Sequence, residues 1–167
     1  MEYICVGYSE VTYKHKKKNM GIFNFFKKKE NSELIKEMIA FSTQALNSAT
    51  SFIEEHGTFL PFGAILTKDG TLQLIVYHDP EKETIDPREH ATIIQKLIAK
   101  KYEDSNCEFC HMAFDGVSHL KSGDIDSINV RVSHKPTNTH KLIAYTYELK
   151  DGKVNILNLD NPIVNEI

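Results

Sequence analysis

The spacing of apolar residues along the chain predicts two helices. Between residues 34 and 53, apolar side chains recur at steps of three and four, which is the period of one helix face. Ser32 is a favourable cap and Gly57 a favourable stop, so the first helix is predicted over residues 33–56. Its apolar stripe comprises Leu34, Met38, Phe41, Ala45, Ala49 and Phe52, widened by Ile35, Ile39, Leu46 and Ile53. A second helix is predicted to begin at Asp86-Pro87, because Asp caps well and Pro suits the first helical position.

Strand patterns surround these helices. Residues 57–78 contain two apolar runs about Asp69-Gly70, a pair typical of tight hairpins. Asp151-Gly152 predicts a second hairpin near the end of the chain, and alternation predicts strands near residues 107–114 and 128–134. The predicted fold is α+β, in the order α-β-β-α-β-β-β-β. It has an antiparallel sheet of about five to six strands with the two helices packed on one face.

The 167 residues favour one domain of ordinary size. We predict a basic N-terminal arm over residues 1–31, with or without an edge strand, one domain over residues 32–162, and a tail over residues 163–167. No apolar run reaches the roughly 18 residues of a membrane-spanning helix. The start of the chain lacks a signal-peptide pattern, and three cysteines suit a reducing compartment. A cytoplasmic location is therefore predicted.

The formal charge of −3 is unevenly distributed. Residues 1–29 hold seven lysines and two glutamates, a charge of +5, so the rest of the chain carries −8. A basic arm can contact nucleic acid or a membrane, but a solvated tail is the commoner case and is favoured here. The acidic body is unsuited to nucleic acid and suited to a basic protein partner.

One short motif suggests chemistry. Cys107, Cys110 and His111 match the Cys-x-x-Cys-His pattern of haem attachment, and such residues also bind metals. In a regular strand, however, residues 107 and 110 point to opposite faces, so structural cysteines are favoured. Four histidines are further candidates for metal ligands: His78, His90, His111 and His134. None of them lies in a His-x-x-x-His or His-Glu-x-x-His pattern. No catalytic residue, metal or cofactor is predicted.

Two resemblances extend this interpretation. A helix followed by Phe59, Pro61, Phe62 and Gly63, and then by the hairpin at Asp69-Gly70, resembles a segment of small bacterial α+β proteins without an assigned activity. The stretch from Met20, Met-Gly-Ile-Phe-Asn-Phe-Phe-Lys, is similar to the start of many small bacterial proteins, among them immunity proteins of interbacterial toxin systems. These resemblances imply a stoichiometric binding protein.

The functional hypothesis is thus a non-catalytic binding protein. In its specific form it is an immunity protein that neutralises a cognate, basic toxin domain through an acidic surface. The predicted partner-binding residues come from two loops: Asp79, Glu81, Glu83, Asp115, Asp124 and Asp126. The alternative is a small enzyme, or a metal- or redox-dependent protein, that uses Cys107, Cys110 and His111.

Overall fold

A computed structural model describes residues 10–13, 31–78, 86–103 and 106–167. It confirms the α+β class and the antiparallel sheet, and it contains the predicted order α-β-β-α-β-β-β-β with one further strand at each end. The ten main elements, in chain order, are β1 (Glu10–Tyr13), α1 (Asn31–His56), β2 (Phe62–Thr67), β3 (Leu72–Ile75), α2 (Pro87–Tyr102), β4 (Cys107–Leu120), β5 (Gly123–His134), β6 (Thr139–Lys150), β7 (Lys153–Ile156) and β8 (Ile163–Glu166).

The sheet is larger than the five to six strands predicted. The strands lie in the order β1-β3-β2-β4-β5-β6-β7, and β8 also pairs with β6, beside β7. Residues 163–167, treated above as a tail, contain β8, whose Val164 is opposite Ile143. A four-residue strand gives a weak sequence signal, which is why the pattern did not separate it from a tail.

The two helices lie on opposite faces of the sheet, so their predicted placement on one face is wrong. In β4, Phe109 and Ala113 belong to the core under α1, whereas Cys110 and Met112 belong to the core under α2. Strand β2 divides in the same way, since Ile65 packs on the α2 side. Both alternating sets of residues in these central strands are apolar, so both sheet faces need a covering helix.

Helix α1 buries most of the predicted stripe. Its fully covered side chains are Leu34, Met38, Phe41, Ser42, Ala45, Leu46, Ala49 and Ile53. Three residues of the stripe are not fully buried. Ile35 and Ile39 are half-buried, and Phe52 is 37% exposed and makes an edge-to-face contact with Phe62 at 5.9 Å between ring centroids. The helix period directs Ile53, which is 1% exposed, into the core. The same period places Phe52 at the margin of the buried face.

These neighbours give a matched stability test. We expect Ile53→Ala to lower the free energy of unfolding by about 3 to 4 kcal/mol, because it removes a fully buried side chain and leaves a cavity. Phe52→Ala should cost about 1 to 2 kcal/mol, since part of that ring already contacts water. Urea unfolding of both variants measures the two values. A Phe52→Ala cost equal to or above that of Ile53→Ala would contradict this placement.

Local signals for the α2 start and the hairpins are confirmed. The Asp86 carboxylate accepts hydrogen bonds from the backbone N–H groups of Arg88 at 2.7 Å and Glu89 at 3.3 Å, and Pro87 is the first helical residue. Asp151 and Gly152 both have positive φ, at 52° and 73°, as a type I′ hairpin turn requires. These residues fix where α2 begins and where β6 turns into β7.

Candidate functional site

The β4–β5 hairpin holds three of the six acidic residues predicted to bind a partner. Asp115 lies in β4, and Asp124 and Asp126 lie in β5. The other three, Asp79, Glu81 and Glu83, lie outside the described residues. The structure therefore describes only one of the two predicted acidic segments. That segment was predicted as a loop, but its three acidic residues lie on paired strands.

The distal half of this hairpin extends beyond its neighbours. Strand β2 pairs with β4 only as far as Ala113, and β6 pairs with β5 only from Ser127 onward. The two strands nevertheless continue to pair with each other as far as Leu120 and Gly123. We call residues 114–126 the ribbon. In the described part of the chain it has no third strand beside β4, and from Val117 to Asp126 it has none on either side.

The three carboxylates share one face of the ribbon. Val117 is opposite Asp126, and His119 is opposite Asp124, while Asp115 is two residues before Val117 on the same strand. Side chains alternate between faces along a strand, and directly opposed residues share a face. We call this set the acidic face: Asp115, Val117, His119, Asp124 and Asp126.

Contacts within the acidic face show how its charges interact. His119 Nδ1 lies 2.7 Å from Asp124 Oδ1. Asp115 accepts hydrogen bonds from its neighbour Gly116 N at 3.1 Å and from the Tyr147 hydroxyl at 3.4 Å. Partial burial raises the pKa of Asp115, and the negative charge of Asp126 raises that pKa further. Val117, at the centre of this face, is 49% exposed and available to an apolar contact.

The two thiols of the Cys-x-x-Cys-His motif lie on the same face, so their predicted separation is wrong. Cys107 and Cys110 both pack in the core under α2. The reason is a register shift: Leu66 pairs with Phe109 but Thr67 pairs with Cys107, so the regular alternation is interrupted at residue 108. Burial, followed by the neighbouring Cys107, raises the pKa of Cys110 to about 12. At neutral pH this thiol is protonated and therefore a poor nucleophile.

His111 lies on the opposite side of the sheet from the thiols. Its ring is 2% exposed and packs 4.9 Å from the Phe41 ring and 6.3 Å from the Phe62 ring, measured between centroids. Burial lowers the pKa of His111 to about 4. The three residues of the motif do not converge. The described ranges also contain no group of three His, Cys, Asp or Glu side chains placed to hold a metal ion.

The other candidate histidines have separate structural surroundings. His78 is exposed. His90 is buried, with Nε2 lying 3.0 Å from the Tyr77 carbonyl oxygen. His134 is also buried, with Nδ1 lying 2.7 Å from Thr137 Oγ1. Each contact satisfies one ring nitrogen locally.

Two surface grooves were not predicted from the sequence. One, of about 380 Å³, is mainly apolar and is lined by side chains that include Phe52, Leu60 and Tyr77. The other, of about 450 Å³, lies between the start of α2 and strands β4 and β5, and is lined in part by Arg88 and Arg131. We call the second the arginine groove. Residues distant in sequence form both grooves, so no short motif marks them.

Comparisons with protein families, with curated proteins and with solved structures find no match to this chain. None of the helices in the described ranges is long and apolar enough to cross a membrane.

Proposed function

We propose that this protein is a non-catalytic binding protein whose acidic face binds a basic protein partner. The observation that carries the proposal is the position of Asp115, Asp124 and Asp126 on one face of a projecting ribbon. The side chains of Asp115, Asp124 and Asp126 are exposed, which leaves that face accessible to a partner surface. Its exposed valine supplies an apolar contact within a charged surround, the usual arrangement of a protein interface.

The distribution of charge supports a basic partner. Outside residues 1–29 the chain carries a formal charge of −8, so the field around the body attracts cations. Complementary charges mainly raise the rate of association, and salt screens them over a Debye length of roughly 8 Å at physiological ionic strength. In its specific form, the partner is a toxin domain and the protein an immunity protein. That form rests on the sequence resemblance described above.

A photo-crosslinking experiment tests which face binds. We would place a photoreactive phenylalanine analogue at position 117, on the acidic face, or at position 118, on the reverse face of the same strand. Irradiation in the cells that produce the chain should give a discrete protein adduct from position 117 and little from position 118. The adduct should disappear when Asp124 and Asp126 are changed to Asn. Equal adducts from both positions, or none from position 117, would reject the proposal.

The captured partner then allows a kinetic prediction. Asp124→Lys with Asp126→Lys should slow association by about tenfold or more at low salt, while dissociation changes less. Moderate salt should have the same effect on the unmodified protein. The matched control is Glu55→Lys with Asp160→Lys, which makes the same change in net charge at exposed acids elsewhere. Stopped-flow mixing measures the rates, and an equal slowing by the control pair would contradict recognition by the ribbon.

A further inference from the structure

The arginine groove contains both arginines of the chain. Among 20 lysine and arginine residues, only residues 88 and 131 are arginine. They lie on different elements, Arg88 in the first turn of α2 and Arg131 in the middle of β5, yet both line the same groove of about 450 Å³. All the remaining basic residues are lysines, and lysine gives solubility equally well. The shared position of the two arginines therefore points to a role for the guanidinium group itself.

The floor of the groove is apolar. Phe59, Met112 and Phe114 line it, together with Pro61 and Ala91 of the surrounding segments. Its volume lies in the range of pockets that hold small organic molecules. A guanidinium group binds carboxylate or phosphate oxygens through two parallel hydrogen bonds, which an ammonium group cannot do. The lining thus combines an apolar floor with two groups suited to an oxyanion.

In the described part of the chain, no ion pair neutralises the positive charge of the two arginines. Asp115 also borders the groove, but its carboxylate bonds to the Tyr147 hydroxyl, on the α1 side of the sheet, while Arg131 is opposite Met112 on the α2 side. Asp86 already accepts the first free N–H groups of α2. The donors that remain at the groove are therefore side chains: the guanidinium groups of the two arginines, with the Thr58 hydroxyl and the Gln95 amide beside them.

We propose that the arginine groove binds a small amphipathic oxyanion, with a carboxylate or phosphate head at Arg88 and Arg131 and an apolar body on Met112 and Phe114. This site goes beyond the proposed partner binding, since Arg88 and Arg131 lie on the reverse side of the sheet from the acidic face and the groove shares only Asp115 with that face. Neither activity requires the other.

A nuclear magnetic resonance titration with four probes tests the site. Octanoate and octyl phosphate each have an oxyanion head and an apolar body. Octanol has the apolar body alone, and inorganic phosphate has the head alone. We expect octanoate or octyl phosphate to shift the amide signals of Ala91, Gln95, Met112 and Phe114 in a saturable manner. The stronger of these two probes identifies the headgroup. Octanol and inorganic phosphate should bind at least tenfold more weakly than that probe. Equal binding of octanol, shifts confined to other surfaces, or no saturable shift would overturn the proposal.

Substitutions then separate the guanidinium fork from charge alone. Arg88→Lys with Arg131→Lys keeps both charges and should weaken binding of the better probe by about tenfold, because the paired hydrogen bonds are lost. The control pair, Lys96→Gln with Lys100→Gln, removes two charges from exposed positions of the same helix and should leave binding within about twofold. Both arginines are exposed, so the folded structure should tolerate their replacement. Unchanged affinity in the lysine variant, or an equal loss in the control, would overturn the proposal.

Discussion

Gly63→Ala is expected to lower the free energy of unfolding by about 3 kcal/mol, an unusually large effect for the addition of one methyl group. A Cβ atom at this position would lie 2.5 Å from Cδ1 of Ile98 and 2.8 Å from the carbonyl oxygen of His111. The Ile98 side chain can move, but the oxygen belongs to the backbone of the paired strand β4. The substitution therefore forces β2 and β4 apart where α2 packs on them.

A second glycine supplies the control. At Gly116 a Cβ atom would meet only the side-chain amide of Asn129, at 2.6 Å. That amide donates to Ser127 O and Oγ, so its displacement costs side-chain hydrogen bonds but moves no backbone. Gly116→Ala should therefore cost about 1 kcal/mol. Adding Ile98→Val to Gly63→Ala should recover only part of the loss, because the contact with the His111 oxygen remains. Chemical denaturation of the three variants compares them. Similar costs at positions 63 and 116 would show that the β2–β4 contact adapts more easily than the geometry indicates.

The second large effect concerns acid stability. Burial against Phe41 and Phe62 lowers the pKa of His111 from its ordinary value of 6.5 to about 4. Between these values the unfolded chain binds a proton that the folded protein excludes, so stability falls as the pH falls. Above about pH 6.5 the imidazole is neutral in both states and this loss is absent. The full effect across the interval is about 3 kcal/mol.

His111→Leu tests this assignment, because leucine keeps an apolar group of similar size and cannot take a proton. Urea unfolding from pH 8 to pH 4 should give a difference in stability between the two proteins that is constant above pH 7. Below that pH the unmodified protein should lose about 3 kcal/mol of unfolding free energy relative to the variant. Carboxylates titrate in both proteins and cancel in this difference. A difference that stays constant over the whole range would contradict the burial of a neutral histidine.

The sequence predicted the local elements because their signals are local. The period of α1, the cap at Asp86 and the two Asp-Gly turns depend on residues within a few positions of one another, and each is confirmed. The placement of both helices on one face was wrong. Strands β2 and β4 are apolar on both faces because they are central in the sheet, and this requires a helix on each face. Alternation alone does not show which strands are central.

The candidate sites show the same limit. The spacing of Asp115, Asp124 and Asp126 indicated an acidic cluster, but their common face depends on the β4–β5 register. The position of Cys107 beside Cys110 depends on an irregularity near Glu108 that no sequence pattern marks. For Arg88 and Arg131 the available signal was compositional, since the chain uses arginine only twice. Composition does not show that the two residues line one groove.

The ribbon also bears on how local stability is distributed in this protein. Strands β4 and β5 begin their pairing in the centre of the sheet, where Ala113 and Val130 are fully buried beneath α1, and end it at Leu120, which is 40% exposed. Amide protons at the central end can exchange with solvent only when the core opens, whereas those at the tip need only the fraying of a two-stranded hairpin. One hairpin therefore joins the slowest-exchanging part of the sheet to a segment that opens without disturbing the core. The tip can then change its conformation while the domain that carries it stays folded.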